Sequence, residues 1–542
     1  MDSPEIDHIA RALSRTSTWP GEADETTPVE WIQTHISHVF LVGDRVYKLR
    51  KAVRLPFLDF GTTALRNADC LNEIELNRRL APSVYLGLAP LFWGDGGIRI
   101  GPVGESIETD DTEHLVVMRR LPSGRDALSL VRAGRLTPDH LEAVADRLSR
   151  FHAEVGLGRP APWTAEEWID RIGGPVFACF PAIRDSKRIP EVRIRSLEAR
   201  AREWIGRHRD RFETRRLSGK AVDGHGDLHL DHIWFEDDAQ PPLIIDCVEF
   251  NADLRRIDRA SEIAFAAMDL RYHETPVLAE ILLATYAAHA DDHGLFAVVD
   301  FYTAYRALVR AKVAALTARD PAIEAAQRAR AGTSVERHFA LAEERMAPPA
   351  HPGLILMCGT VGSGKSTIAR RLARAGRGIP ISSDRVRKAM AGLPPTARVA
   401  TGPDEGLYRP EQRERVYEGL LERAAPVVVS GRVAILDASF ARRADRDRAR
   451  AWAGQRGIPV RLVEVRCDPD RAQARLRARQ EKGSDPSDAG PDFLPLSQAR
   501  FEAPDEWPEE DREIVWSEDD EPGEDLLSGH TRGGSPIAVS NT

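Results

Sequence analysis

The chain has 542 residues, of which 42% are hydrophobic and 29% are charged, and its formal net charge is −9. This length exceeds one ordinary hydrophobic core, so two or three domains are expected in a globular protein. The acidic balance argues against broad, nonspecific nucleic-acid binding, although it leaves room for a local basic groove.

The five cysteines are widely spaced and include no C-x-x-C pair, which favours reduced thiols over disulfides or a zinc site. The N-terminus has early acidic residues and no apolar core, unlike a signal peptide. No stretch reaches about 18 uncharged apolar residues; the segment 276–290 is apolar but contains Glu280. We therefore predict a cytoplasmic protein with no membrane span.

The first half starts with a lead-in, residues 1–30, that contains a short predicted helix and a polar segment. Between residues 31 and 345, β-rich runs flank a Gly-Asp turn and predict a hairpin, and amphipathic patterns predict several helices. In chain order, the main elements are hairpin strands at 39–42 and 45–49, a helix at 63–80, apolar segments at 88–93 and 115–118, and a helix at 137–155.

The second half follows a proline-rich linker, residues 346–353. Strand and helix patterns alternate between residues 354 and 517, which is typical of a parallel sheet covered on both faces. Residues 518–542 are acidic and then rich in glycine and serine, which predicts disorder. The strand candidates are 354–358, 379–382, either 426–429 or 433–436, 460–467, and 512–516.

Residues 359–367 match the pattern G-x-x-x-x-G-K-[ST] between an apolar strand and a helix. The glycines allow backbone N–H groups to surround an anion, and the helix N-terminus adds its positive end. Lys365 is expected to reach the β- and γ-phosphates and Ser366 to bind Mg²⁺. A glycine-rich turn without a ligand is the alternative. The predicted nucleotide-binding residues are Gly359, Gly362, Ser363, Gly364, Lys365, Ser366 and Thr367.

Three further features of the second half indicate phosphoryl transfer. Asp384 and Arg387 follow the second strand, where Asp384 can accept a hydroxyl proton and Arg387 can steer an anionic acceptor or the phosphoryl group. Asp437 ends an apolar strand, an arrangement that organises Mg²⁺. A basic run that includes Arg475 and Arg479 predicts a mobile lid over the phosphates, with a solvated helix face as the alternative.

A second phosphate-transfer pattern lies in the first half. The loop sequence H-G-D ends at Asp227, and Asp246 ends a nearby apolar strand. One carboxylate can accept a hydroxyl proton while the other holds Mg²⁺. Lys48 lies in an apolar strand, where a buried ammonium needs an anion such as Glu73. Taken singly, these features also fit a surface turn and a solvent-reaching lysine.

In this order the residues resemble the aminoglycoside phosphotransferase branch of the protein-kinase-like fold, over roughly residues 30–345. The resemblance implies a bilobal α+β domain that binds ATP and Mg²⁺. It assigns the family's paired lysine and glutamate to Lys48 and Glu73, the base to Asp227, the metal-binding aspartate to Asp246, the adenine-binding hinge to residues 116–119 with Met118, and a loop-bracing aspartate to Asp258.

The chain departs from that family in two places. His232 stands where the family has an asparagine that binds Mg²⁺, and imidazole is a poorer Mg²⁺ ligand than an amide oxygen. Neighbouring Asp231 is an alternative ligand. The segment near residues 34–38, which corresponds to the family's glycine-rich loop, contains no glycine.

The second half, roughly residues 353–517, resembles small P-loop kinases related to the 5′-hydroxyl kinase half of polynucleotide kinase, which are grouped with AAA-type ATP-binding domains. The resemblance implies a three-layer α/β domain with a parallel sheet. It assigns the general base to Asp384, the acceptor-side arginine to Arg387, the Walker-B-like aspartate to Asp437, and the lid arginine to Arg475 or Arg479. No sensor helix or arginine finger is apparent, which disfavours a motor.

We interpret the chain as a bifunctional, ATP- and Mg²⁺-dependent phosphotransferase whose acceptors are small hydroxylated molecules. A nucleic-acid end is a less favoured acceptor. One alternative is a P-loop kinase regulated by a catalytically degenerate first domain. Another is an NTPase with water as the acceptor. The sequence leaves open both acceptors, the coupling between the sites and the oligomeric state.

Overall fold

The computed structural model describes the chain except residues 1–2, 20–27, 56–57, 95–96, 108, 110, 322, 349–350, 395–396, 398, 400–404, 483–488 and 518–542. The segment predicted to be disordered, 518–542, lies outside the described residues. The chain forms two compact units: the first is Met1–Tyr286 with Val298–Ala347, and the second is Ala287–Ala297 with Pro348–Thr542. Among the described residues, no helix has the length and apolar character needed to cross a membrane.

The first unit contains a six-stranded antiparallel sheet. Its strands are β1 (Glu30–Gln33), β2 (Ser37–Val42), β3 (Arg45–Arg50), β6 (Tyr85–Gly94), β7 (Gly97–Ile100) and β8 (Glu113–Arg119), and a small hairpin of β4 (Arg54–Leu55) and β5 (Leu58–Asp59) follows β3. The order in the sheet is β1-β2-β3-β8-β6-β7. The predicted hairpin is present, because β2 and β3 pair from Ser37↔Arg50 to Val42↔Arg45.

Helices make up the rest of the first unit, together with two short strand pairs. The helices are α1 (Ser3–Leu13), α2 (Thr63–Arg78), α3 (Ala127–Arg132), α4 (Pro138–Glu154), α5 (Ala165–Phe177), α6 (Phe180–Asp185), α7 (Glu191–Arg207), α8 (Arg209–Leu217), α9 (Arg259–Tyr272), α10 (Pro276–His289), α11 (Val299–Arg319) and α12 (Ala325–Arg345). Helix α10 extends past Tyr286, so its residues 287–289 belong to the second unit. The pairs are β9 (Ala221–Asp223) with β12 (Arg256–Asp258), and β10 (Ile233–Trp234) with β11 (Leu243–Ile244).

Helix α1 belongs to the hydrophobic core of this sheet. Ile6, Ile9 and Leu13 form one buried cluster with sheet residues such as Phe40 and Tyr47. Residues 1–30 were predicted to be a lead-in separate from the domain, whereas the described part of that segment contributes a helix to the core. The apolar spacing of α1 explains this, since it gives the helix one face that must be buried.

The second unit is built on a five-stranded parallel sheet. Its elements are β13 (Gly353–Cys358), α13 (Lys365–Arg374), β14 (Ile379–Ser382), α14 (Ser383–Met390), α15 (Pro410–Val429), β15 (Val433–Asp437), α16 (Arg443–Gly454), β16 (Val460–Arg466), α17 (Pro469–Lys482), α18 (Phe493–Ala499) and β17 (Arg512–Trp516). The strand order is β14-β15-β13-β16-β17. The predicted fold class is therefore confirmed for both units.

The two strand candidates left open by the sequence are now resolved. Residues 433–437 form β15, whereas residues 426–429 are the last turn of α15. Both are short apolar runs, and periodicity alone does not separate a buried strand from a buried helical turn. Gly431, with φ of 82°, makes the turn between them.

Candidate active sites

The P-loop connects β13 to α13 at the carboxyl edge of the parallel sheet. Gly359, Gly362 and Gly364 have φ values of 147°, 79° and 100°, which glycine adopts without strain. A Cβ at Gly359 would lie 2.4 Å from the carbonyl oxygen of Val465, so the loop requires glycine there. The Lys365 ammonium donates to the Thr360 carbonyl at 2.7 Å and thereby curls over the loop.

Asp437 lies beside the P-loop because β15 pairs with β13, with Met357 opposite Asp437. The Ser366 hydroxyl donates a hydrogen bond to the Asp437 carboxylate. Burial raises the pKa of Asp437, while Ser366 and Lys365 oppose that rise. Burial also lowers the pKa of Lys365, against the attraction of Asp437. The hydroxyl and carboxylate oxygens of Ser366 and Asp437 are ligands that fit Mg²⁺.

Asp384 and Arg387 lie in the first turns of α14, at the same sheet edge. Arg387 Nη1 donates to Asp384 Oδ1 at 2.5 Å, and the Arg387 guanidinium lies 4.4 Å from the centre of the Tyr408 ring. Both residues line a cavity of about 570 Å³, a volume suited to a small-molecule ligand. The other predicted site residues that line it are Gly362, Gly364, Lys365, Ser366, Thr367, Asp437, Arg475 and Arg479.

The predicted lid arginines are on α17. Arg475 donates through Nη1 to Ser517 Oγ at 2.7 Å and through Nη2 to the Ser517 carbonyl at 2.8 Å. Arg479 lies one turn further along the same helix and also lines the cavity. Both arginines therefore line the same cavity as the P-loop, and their role as a lid over the phosphates stays a prediction.

In the first unit, one lysine joins two predicted site carboxylates. Lys48 Nζ lies 2.8 Å from Glu73 Oε1 and 2.8 Å from Asp246 Oδ1. Burial disfavours the charge of Lys48, yet Asp246 and Glu73 raise the pKa of Lys48 well above its usual value. The α2 glutamate, the β3 lysine and the loop aspartate are therefore joined by two salt bridges.

The Asp227 carboxylate is held by two histidines. His229 Nε2 lies 3.2 Å from Asp227 Oδ2, and His229 Nδ1 contacts Asp231. Although burial opposes its ionisation, His229 and His232 hold the pKa of Asp227 well below its usual range. Burial disfavours the charge of His229, but Asp227 and Asp231 raise the pKa of His229 to about 10. Asp227 is therefore an oriented but weak base.

His232 occupies the predicted metal position with one nitrogen already used. His232 Nδ1 donates to the Asp227 carbonyl at 2.9 Å, and His232 Nε2 lies 3.5 Å from Asp246 Oδ2. The Asp246 carboxylate suits Mg²⁺, whereas an imidazole nitrogen does not suit this hard cation. The residues of the first unit thus fit Mg²⁺ only in part.

The chain is similar in sequence to uncharacterized proteins of two mycobacteria. The uncharacterized protein Rv2004c of Mycobacterium tuberculosis (strain ATCC 25618 / H37Rv) is 34% identical over 461 residues, which cover 84% of this chain and 86% of the relative. The uncharacterized protein Mb2027c of Mycobacterium bovis (strain ATCC BAA-935 / AF2122/97) matches equally well, with 34% identity and the same coverage of 84% and 86%. The chain belongs to the Rv2004c family.

A family model described as an AAA domain matches residues 354–504 of this Rv2004c-family chain, which confirms the AAA-type resemblance of its second half. Among solved structures, a gluconokinase from Sinorhizobium meliloti 1021 is 21% identical, covering 31% of this chain and 83% of its own, with a TM-score of 0.22. A choline/ethanolamine kinase family protein from Mesorhizobium loti is 13% identical, covering 63% and 99%, with a TM-score of 0.33. These scores are low, so the fold described above rests on this chain's own strands and helices.

The predicted adenine-binding hinge needs correction in this Rv2004c-family chain. Strand β8 pairs with β3 on one side and with β6 on the other, so the backbone of residues 116–118 is inside the sheet. The next two amides are also used, since Arg119 donates to Val84 and Arg120 donates to Asp44. The backbone of Met118 therefore cannot receive adenine, and its buried side chain packs in the core beside Leu121.

The loop-bracing role predicted for Asp258 belongs to other residues. Asp258 pairs with Arg215 of α8 at 2.6 and 2.7 Å and caps α9 through the Ala260 amide. The H-G-D loop is instead held by Glu262, which accepts from the His225 amide at 2.5 Å. Residue 269 adds a second brace from α9, because the carboxylate of this aspartate accepts from the Leu230 amide at 2.9 Å.

Sequence reasoning missed Arg50, which is two residues after Lys48 and so on the same face of β3. Arg50 Nη2 lies within 2.7 Å of carboxylate oxygens of Asp69, Glu73 and Glu249. Burial raises the pKa of Glu249 to about 8, against the attraction of Arg50. Burial likewise raises the pKa of Asp69 to about 6. One guanidinium cannot fully compensate three buried carboxylates.

We expect the stability of the first unit to fall as the pH rises from 4.5 to about 8, because the folded state binds the Glu249 proton more tightly than the unfolded chain. Glu249→Gln keeps an acceptor oxygen for Arg50 and cannot ionise. It should raise the free energy of unfolding by roughly 3 to 5 kcal/mol near pH 8.5 and by much less near pH 5. Thermal unfolding at both pH values, with exposed Glu142→Gln as the control, tests this; identical pH profiles for wild type and Glu249→Gln would contradict it.

Proposed function

We propose that this chain is an ATP-dependent phosphotransferase with two kinase-type sites. The second unit transfers the γ-phosphoryl group of ATP to a hydroxyl of a small molecule, and the first unit carries out a second transfer of the same type. One observation carries the proposal: the P-loop, the Ser366–Asp437 pair and the Asp384–Arg387 pair all line one cavity.

In the second unit, several of the side chains that line the cavity around the P-loop have a defined role in the transfer reaction. The acceptor hydroxyl oxygen bonds to the γ-phosphorus, the bond to the β–γ bridging oxygen breaks, and the hydroxyl proton passes to Asp384. Lys365 and the α17 arginines compensate the charge on the phosphates and on the leaving ADP. Mg²⁺, held by Ser366 and Asp437, adds further charge compensation when bound.

Water as the acceptor is disfavoured by the position of Asp384. Asp384 lines the cavity with a fixed arginine partner, Arg387, which an acceptor water would not need. The Asp384–Arg387 pair gives a hydroxyl-bearing acceptor both a proton acceptor and a cation. A small acceptor is preferred to a nucleic-acid end, because the cavity has a volume of about 570 Å³, which suits a small-molecule ligand.

For the first unit, the Lys48–Glu73 pair, Asp227 and Asp246 support a kinase-type site. A second candidate function is nucleotide or ligand binding without turnover, which regulates the second unit. The position of His232 beside Asp246 favours this candidate, since it replaces an oxygen ligand with a nitrogen. The two candidates differ in whether Asp227 is required for a phosphorylated product.

A mass-shift screen of hydroxylated acceptors, with ATP and the full-length chain, tests the role of the second unit. We expect Asp384→Asn to lower formation of one phosphorylated product by about 100-fold, because the hydroxyl loses its proton acceptor. Exposed Asp470→Asn is the matched control and should leave the rate unchanged. Full transfer by Asp384→Asn, or phosphate release with no acceptor ever phosphorylated, would contradict the proposal.

A further inference from the structure

The cavity of the second unit carries far more positive than negative charge. Among the described residues, two carboxylates line it, those of Asp384 and Asp437, against nine basic side chains. The triphosphate of ATP accounts for those next to the P-loop and on α17. The basic residues are Lys365, Arg370, Arg371, Arg387, Arg409, Arg413, Arg475, Arg479 and Arg500.

Two of these arginines lie on helices α14 and α15, and each has an N–H donor available for a ligand. Arg387, on α14, and Arg413, on α15, have side chains that are 14% and 21% exposed. Arg387 Nη1 binds Asp384, and Arg413 Nη2 lies 3.3 Å from Asp445 Oδ2. Among the described residues, the buried Nε atoms of both arginines have no hydrogen-bond partner. Buried donors of this kind are normally satisfied, which points to a ligand oxygen.

Each of the two guanidinium groups has an aromatic ring beside it. The Arg387 guanidinium lies 4.4 Å from the Tyr408 ring centre, and the Arg413 guanidinium lies 5.6 Å from that of Tyr417. Tyr417 is itself fixed, because its hydroxyl oxygen accepts from the Phe440 amide at 3.1 Å. A guanidinium held in one plane by an aromatic ring is suited to bind a carboxylate or a phosphate through paired N–H groups.

We propose that the acceptor of the second unit is a small hydroxylated anion. Its carboxylate or phosphate binds Arg387 and Arg413, and its hydroxyl faces Asp384 and the γ-phosphate. This inference rests on the proposed function and narrows the substrate class of the same cavity. Arg413 is a specificity residue in this assignment, since its carboxylate partner is Asp445, whereas Arg387 contacts Asp384, the proposed base.

Calorimetric titration of the ADP-saturated full-length chain tests the anion subsite without requiring turnover. The probes are two matched pairs, xylitol with xylonate and ribose with ribose 5-phosphate, which separate carboxylate from phosphate recognition. We expect the anion of at least one pair to bind about tenfold or more tightly than its neutral partner. Arg413→Gln should remove that preference and leave ADP affinity within about twofold. Exposed Arg415→Gln, on the same helix, should leave both unchanged.

Three possible results of this titration lead to different conclusions. Equal affinity for the neutral and anionic member of both pairs overturns the inference. A preference that survives Arg413→Gln also overturns it, because the anion then binds elsewhere. An Arg413-dependent preference without any phosphorylated product when ATP replaces ADP supports the anion subsite and contradicts the proposed transfer reaction instead.

Discussion

Replacing Lys365 with alanine is expected to weaken ATP binding by the second unit about 100-fold, the loss typical of a buried, charged hydrogen-bond donor. The side chain is anchored over the P-loop by the Thr360 carbonyl and lies beside Asp437, so its ammonium is in position before nucleotide arrives. In the part of the chain that the structure describes, the other cations of the cavity are arginines, so no second lysine there replaces Lys365. Alanine removes the charge without filling the loop.

The measurement is calorimetric titration of the full-length chain with ATP and Mg²⁺. In Lys365→Ala the number of sites of wild-type affinity should fall by one, whether or not the first unit binds ATP. The control is Arg374→Ala, an exposed cation on the same helix, α13, that does not line the cavity. Unchanged stoichiometry and affinity in Lys365→Ala would show that the P-loop is not the nucleotide site.

The P-loop could be predicted from the sequence because its chemistry is local. Residues 359–367 supply the glycines, the lysine and the serine in one run, and the flanking strand and helix patterns are strong. The positions of Asp384 and Asp437 followed from a general rule, since the carboxyl ends of parallel strands meet at one edge of a sheet. The alternation of strands and helices therefore placed three separate segments together without any long-range information.

Contacts between residues that are far apart in the chain could not be predicted from the sequence. Glu262 and Asp269 brace the H-G-D loop from α9, and the sequence offers no periodic signal for a buried carboxylate that caps a loop. The predicted hinge falls on a central strand of the sheet, because the apolar pattern of residues 116–118 fits a hinge and a central strand equally well. Arg50 could have been predicted as a site residue, because the alternation of side chains along a strand puts it on the same face as Lys48.

In the first unit, Asp227→Asn is expected to lower phosphoryl transfer about 1000-fold, within the range for loss of a general base. Asn is nearly the same size and cannot accept the hydroxyl proton, so the H-G-D loop should keep its bracing by Glu262. The transfer is measured in full-length Lys365→Ala, where the second site is disabled, with an acceptor found by the mass-shift screen. Thermal unfolding of the double variant checks that the loop remains folded.

The matched control for that experiment is Asp231→Asn, because Asp231 contacts the same histidine from the other side. His229 keeps Asp227 as its main partner in this control, so transfer should fall by less than about tenfold. Transfer that survives Asp227→Asn would remove Asp227 as the base. If Lys365→Ala with an intact Asp227 phosphorylates no acceptor, the first unit binds without turnover, as the nitrogen of His232 beside Asp246 favours.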